Sequence, residues 1–166
     1  MAKREIERTV QASLLDRLTD QEHRSAGDAR QTYADSLHQF ELGVQRDLEW
    51  LLNTRRIVVP VPEECEELAR SLYAYGVPDI TSMSRDSRAA RQQLLRDVED
   101  ALALFEPRLA NVQISMIETD GEQRRRELRF VVEATLRLDP TPERVVFDTV
   151  LQFSSGQYAV EAAKNA

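Results

Sequence analysis

The stretch Leu128-Arg129-Phe130-Val131-Val132-Glu133-Ala134-Thr135-Leu136-Arg137-Leu138 decides the fold. Its even-numbered positions are all apolar and its odd positions carry Arg129, Val131, Glu133, Thr135 and Arg137, polar but for Val131, a period of two that describes a strand with one buried face. Outward on both sides the same period returns. Val112, Ile114 and Met116 alternate with Gln113, Ser115 and Ile117, and Asp120-Gly121 offers turn residues in a connection longer than a tight hairpin. After the turn forced by Asp139-Pro140-Thr141-Pro142, Val145, Phe147, Thr149, Leu151 and Phe153 make a third alternating run, and a polar, Ala-rich end follows.

Upstream the period is helical. Leu37, Phe40, Val44, Leu48, Leu51 and Leu52 recur at threes and fours, so a helix ends near Asn53. Ile57-Val58-Val59 is a short β-branched run that Pro60 and Pro62 restrict to a strand end or an extended connection. A second helix is expected from Pro62, with Cys65, Leu68, Ala69 and Leu72 inward and Gly76 as terminator. Tyr75-Gly76-Val77-Pro78-Asp79 reads as a turn. A third helix, capped by Ser84 or Ser87, carries Leu94, Leu95, Val98, Leu102 and Phe105 and must stop or kink at Pro107. Helices first and a meander afterwards define an α+β fold: N-terminal helices on one face of a mainly antiparallel sheet of three to four strands. In a three-stranded meander the strand of residues 144–153 is an edge, and with no Pro, Lys or Gly in it that edge is weakly defended.

The 166 residues suit one domain, placed at 36–160, preceded by an arm of residues 1–35 whose segment 18–35 is too polar to order itself. On this arm Leu14, Leu15 and Leu18 share a face if helical, an isolated apolar island suited to docking. Twenty-two Lys+Arg against 29 Asp+Glu give a net charge of −7, which opposes binding to nucleic acid or an acidic membrane. The start of the chain holds no continuous apolar run for a signal peptide, no segment is long and apolar enough to span a membrane, and a single cysteine gives no disulfide, so the cytoplasm is the expected compartment.

Chemistry-bearing patterns are absent. Five glycines form neither a GxGxxG nor a GxxxxGK[ST] spacing, and His23 and His38 with one cysteine make no zinc set, so no cofactor or metal is expected. Cys65 falls on the apolar side of the second helix, where an inert core thiol is the ordinary reading and a Cys-His dyad the sharper one. Glu106, Asp79 and Glu118 lie near turns where a carboxylate pair could cleave a glycoside, and where charges more often cap helices or face solvent. Arg124-Arg125-Arg126 and Arg55-Arg56 read as solvated faces in preference to a phosphate site. Trp50 reads as a core-edge side chain, and Asn53-Thr54-Arg55 mainly as a helix end.

Four segments, in order, resemble one family: Ser13-Leu14-Leu15-Asp16-Arg17-Leu18, the run from Val44 to Arg55 that ends in Asn53-Thr54-Arg55, Tyr75-Gly76-Val77-Pro78-Asp79, and Phe105-Glu106-Pro107-Arg108-Leu109. Together they look like TssE, the baseplate subunit of type VI secretion systems, related to the small wedge protein of contractile phage tails. The resemblance implies a cytoplasmic, non-enzymatic wedge component in a hetero-oligomer, with the baseplate subunits TssF, TssG and TssK and the sheath subunits TssB and TssC as partners. It implies that Glu106, Pro107 and Arg108 face the core bundle of neighbouring wedge subunits, and that the fold is similar to part of a sheath subunit and can template sheath growth. Three sets of interface residues are expected: Glu106 and Arg108 as charged anchors, with Arg108→Ala abolishing assembly and leaving the melting temperature nearly unchanged; Leu14, Leu15 and Leu18, from their clustering, as a docking face; and Val146, Asp148 and Val150, from the meander, on the strand edge offered to the sheath. Relatives have carried a lysozyme label that these residues do not support. A cell-wall-cleaving glycosidase is the alternative from another class, and a module sequestering a regulator is a third reading.

Overall fold

The structure, a computed structural model, describes residues 9–19, 32–62, 64–80, 87–119, 121–139 and 141–163. The chain divides into two compact units, Met1–Val44 and Gln45–Ala166. In the first unit, α1 (Leu14–Thr19) begins with a capping interaction: the Ser13 hydroxyl accepts from the Asp16 N–H at 3.2 Å and donates to its carboxylate at 2.5 Å. Helix α2 (Tyr33–Asn53) starts at a second reciprocal cap, where Thr32 Oγ1 accepts from the Asp35 N–H at 3.1 Å and the Asp35 carboxylate accepts from Thr32. These bonds hold the exposed Asp35 carboxyl below its ordinary range. Gly43 admits α1 here, because a Cβ at Gly43 would lie 2.9 Å from Asp16 Oδ2. The segment 20–31, the polar part of the expected arm, lies outside the described residues, as does His23.

The second unit is built on a four-stranded antiparallel sheet in the order β1 (Leu109–Ile117), β2 (Glu127–Leu136), β3 (Glu143–Gln152), β4 (Gln157–Ala162). The deciding stretch is β2, a central strand whose even residues, Leu128 to Leu136, are all buried. On the same face β3 buries Val145, Phe147, Thr149 and Leu151, and β4 buries Tyr158 and Val160. Helix α4 (Arg88–Phe105) packs on β1 and buries Leu94, Val98, Ala101 and Leu102, while the later part of α2 buries Leu48, Leu51 and Leu52. Ser87 caps α4 through the Ala90 N–H at 3.2 Å, and Pro107 follows its end. The α+β expectation of helices followed by an antiparallel sheet holds.

Three local expectations change. The connection from β1 to β2 is not an extended loop but a short helix, α5 (Gly121–Arg126), in which Arg126 pairs with Glu122 four residues earlier at 2.8 Å. The second helix shrinks to α3 (Glu66–Ala69) and a 3-10 turn at Leu72–Ala74 with no buried residue in either. Cys65 is therefore exposed, not a core thiol, and Leu72 is 83% exposed. The apolar residues of 57–72 line a surface in place of a core, which a period-3.6 pattern cannot distinguish by itself.

The third correction concerns the expected free edge. β3 is paired on both sides, with β2 along its whole length and with β4 from Phe147↔Ala162 to Gln152↔Gln157. The C-terminal tail turns at Gly156, φ 69°, and returns as β4, so Val146, Asp148 and Val150 lie on the outer sheet face and not on an edge. β4 is in turn blunted by α2. The Asn53 side chain accepts from the Tyr158 N–H and donates to its carbonyl, both at 2.9 Å, and Gln45 donates to Val160 O at 2.8 Å. Asn53 thus completes a strand edge as a neighbouring strand would, a specific reason for the Asn of Asn53-Thr54-Arg55.

Tyr158 is 3% exposed, its ring edge-on to Phe130 at 6.4 Å, and its hydroxyl has no partner among the described residues. Burial first, and the nearby charge of Asp97 second, push its phenol well above the ordinary tyrosine value. Native Tyr158 keeps a proton that the unfolded chain releases above roughly pH 10, so stability falls as pH rises beyond that point. Tyr158→Phe removes the orphaned hydroxyl and is expected to raise stability at neutral pH by about 1 kcal/mol and to lessen the alkaline loss, read from melting curves at pH 7 and 10.5. A fall in stability at pH 7 would mean that the hydroxyl is bonded.

Candidate functional site: the charged corner between α4 and β1

The chain leaves α4 at Phe105, turns through Glu106-Pro107-Arg108 and enters β1. Pro107 has no N–H to continue the helix, so the two charged residues that flank it are brought back toward each other across the turn. Arg108 Nε and Nη2 bind the two oxygens of Glu106, each at 2.6 Å, and Nη2 also reaches Asp47 Oδ2 of α2 at 2.7 Å. Arg46 holds the other oxygen of Asp47 at 2.8 Å and lays its guanidinium 4.9 Å from the centre of the Trp50 ring. Glu106 is 5% exposed, a buried carboxylate with a bidentate partner. Burial disfavours the Arg108 charge, but the bonds and charges of Glu106, and then of Asp47, outweigh it and hold the guanidinium above its ordinary value. Tyr75, edge-on to Phe105 at 5.2 Å, is also pushed up, first by burial and then by the Asp47 and Glu106 charges.

The sequence pointed to Glu106, Pro107 and Arg108, and the structure brings them together with two residues given no role there, Asp47 and Arg46. It also ties Arg108 into the fold: the residue stitches α2 to the α4–β1 corner, so its removal is expected to cost stability as well as assembly. Trp50 is 53% exposed and not a core-edge side chain. The spacing held that signal, since Trp50 stands two positions from both Leu48 and Leu52, which on a helix is the opposite side.

The other candidates fall elsewhere. Leu14, Leu15 and Leu18 are exposed on α1, 70% for Leu14 and 74% for Leu18. Asp79 pairs with Arg55 at 3.5 Å and lines an apolar groove, and Glu118 lines a small cavity with Arg88 and Arg91. Glu106 is committed to Arg108, so the three carboxylates near turns occupy three different places and form no pair. Among the described residues no three His, Cys, Asp or Glu side chains are grouped to hold a metal, and no helix is long and apolar enough to cross a membrane. His38 is exposed on α2.

A helix-and-sheet protein whose charged corner pairs Arg108 with both Glu106 and Asp47, and whose large apolar side chains at 14–18, 50 and 57–59 face outward, has the make-up of an assembly component. The model of the family described as baseplate wedge protein gp25 matches residues 38–141, and the chain belongs to that family. Its role is accordingly structural, within a baseplate. No curated protein sequence matches the chain. A chain of the solved structure "The baseplate complex from the type VI secretion system" is similar to it, 22% identical, with 69% of this chain and 96% of that one covered and a TM-score of 0.47.

Proposed function

We propose that the protein is the wedge subunit of a type VI secretion baseplate, working in the cytoplasm and without enzymatic turnover, that joins neighbouring wedge subunits to the first ring of the contractile sheath. The observation that carries this reading is the Glu106-Pro107-Arg108 corner, tied to Asp47 and capped by an exposed Trp50 under Arg46, inside the stretch that matches the baseplate wedge family. Exposed Trp and Arg are the side chains that most often anchor protein interfaces, and here the salt-bridge network presets their positions. Partners of the TssF, TssG and TssK type meet this corner and the Leu14, Leu15 and Leu18 face, and partners of the TssB and TssC type meet the sheet. Trp50→Ala is expected to weaken co-purification with wedge subunits at least tenfold while leaving the melting temperature within about 2 °C, because the ring is half exposed and supports little of the core. Unchanged complex formation would remove Trp50 from the interface.

With β3 enclosed and β4 blunted by Asn53 and Gln45, the sheet edge left for the sheath is β1. Leu109–Ile117 has no charged residue and no Pro, and its one bulge, at Asn111 with φ 53°, sits at the beginning. Alternate residues of an edge strand point their N–H outward, so of Ile114→Pro and Ser115→Pro one removes an unpaired group and folds. That variant should still bind wedge subunits and fail to start sheath polymerisation. Normal sheath growth from it would rule out β1 as the template edge.

A further inference from the structure

The outer face of the sheet joins apolar and charged side chains in a pattern that the fold itself does not use. The odd residues of β2 and β4 and the even residues of β3 turn away from the buried side. In register, Val131 of β2 stands beside Asp148, and Val146 and Val150 flank Asp148 along β3, so three partly exposed valines surround one exposed carboxylate. The fourth side holds a second carboxylate. Asp148 and exposed Glu161 are direct partners across β3 and β4, a register that sets their Cβ atoms about 5 Å apart, and like charges so placed cost stability. The other charges on these three strands' outer face are matched among themselves. Arg129 binds Glu127 at 2.7 Å and Arg144 binds Glu133, which leaves Asp148 and Glu161 with no hydrogen bond or ion pair among the described residues. β1 adds Gln113, Ser115 and Ile117 to the face and no charge.

We propose that this face docks an amphipathic helix of a different protein, with aliphatic side chains on its contact side and a Lys or Arg set among them. The aliphatic groups cover Val131, Val146 and Val150, and the stem of the Lys or Arg lies along the same valines while its cation reaches both carboxylates and lifts their repulsion. A helix fits where an added strand does not. The main-chain groups of β2 and β3 are already paired with strands on both sides, so the occupant must satisfy its own backbone, and a helix of roughly 10 Å diameter spans two strands about 4.8 Å apart. A second copy stacked face to face would bring four carboxylates together, so charge disfavours it. The inference stands apart from the baseplate reading, which rests on the charged corner, and its peptide test can fail while co-purification with wedge subunits succeeds.

The test uses the full chain and labelled synthetic helices in fluorescence anisotropy, with amide shifts followed by NMR. The probe is a peptide of about 18 residues with leucines along one face and lysines among them, and its control carries glutamate for every lysine. The lysine peptide should bind saturably and shift the amides of Val131, Val146 and Val150. Binding should weaken about tenfold or more with the glutamate peptide, and likewise with the double variant Asp148→Lys, Glu161→Lys. The double variant Glu66→Lys, Glu67→Lys changes two exposed carboxylates of α3 and the net charge by the same amount, and should leave binding within about twofold because salt screens distant charges. All four substitutions lie at exposed side chains, and melting temperatures that do not fall separate lost docking from lost fold. No saturable binding, equal binding of both peptides, or equal weakening by the two double variants would overturn the proposal.

Discussion

Arg108→Ala should lower the stability of the protein by about 2–4 kcal/mol and also abolish its assembly with wedge subunits. The stability loss follows from what remains behind. Glu106 stays buried at 5% exposure with its bidentate partner gone, and Asp47 keeps only its Arg46 contact. An unpaired carboxylate inside a fold must either find water or take up a proton, and both cost free energy. The figure is set below the roughly 3–5 kcal/mol of a fully buried pair because the Arg108 side chain retains 22% exposure. For a chain of this size the melting temperature should fall by roughly 4–16 °C. The structural and interface roles separate in the double variant Glu106→Leu with Arg108→Met, in which no buried charge at the turn is left unpaired. Its stability should recover most of the loss while assembly remains absent, as measured by denaturant midpoints and co-purification. Recovery of assembly along with stability would mean that the pair acts only within the fold.

Gly76→Ala should be as damaging from a different cause. Gly76 has φ 106°, a conformation closed to other residues, and a Cβ there would stand 2.3 Å from the Thr54 carbonyl oxygen. Relief requires opening the parallel bridge between Arg55 and Val77, with its two bonds, Val77 N–H to Thr54 O and Arg56 N–H to Val77 O, both 2.9 Å. Strain and two lost bonds together suggest about 3–5 kcal/mol. Gly121→Ala is the control, since φ is 63° and no atom lies within 4 Å of the added Cβ, so only the left-handed backbone costs, about 1 kcal/mol. Equal effects of the two substitutions would show that the bridge yields easily.

The Gly76 geometry also explains how much of the protein was legible in its sequence. The strands of 128–138 and 144–153 could be read because alternation is periodic and local, and the helix ends at Ser87 and Pro107 because a cap and a missing N–H act within one turn. β4 was harder to read: six residues with two buried side chains carry too short a period, and only pairing with β3 organises them. The exposed fate of Cys65 and Leu72 was hidden for a related reason, since their spacing says that they share a face and not what the face meets. Segments that looked like independent motifs proved to be partners. Asn53-Thr54-Arg55 and Tyr75-Gly76-Val77-Pro78-Asp79 are joined by the Arg55–Val77 bridge and the Arg55–Asp79 pair, and Asp47 belongs with Glu106 and Arg108 across 61 positions. Contacts of that range are set by the tertiary fold and have no spacing rule.

The central claim, a wedge subunit that assembles through the charged corner, is tested most directly by reconstitution. The full chain would be co-expressed with candidate wedge subunits of the TssF, TssG and TssK type, purified through a tag on this chain, and its complex mass measured in parallel with the stable Glu106→Leu, Arg108→Met variant. The account predicts a defined hetero-oligomer with the native chain and a folded, unassembled monomer with the variant. A native chain that stays monomeric with every wedge subunit, or a variant that assembles as well as the native chain, would contradict it.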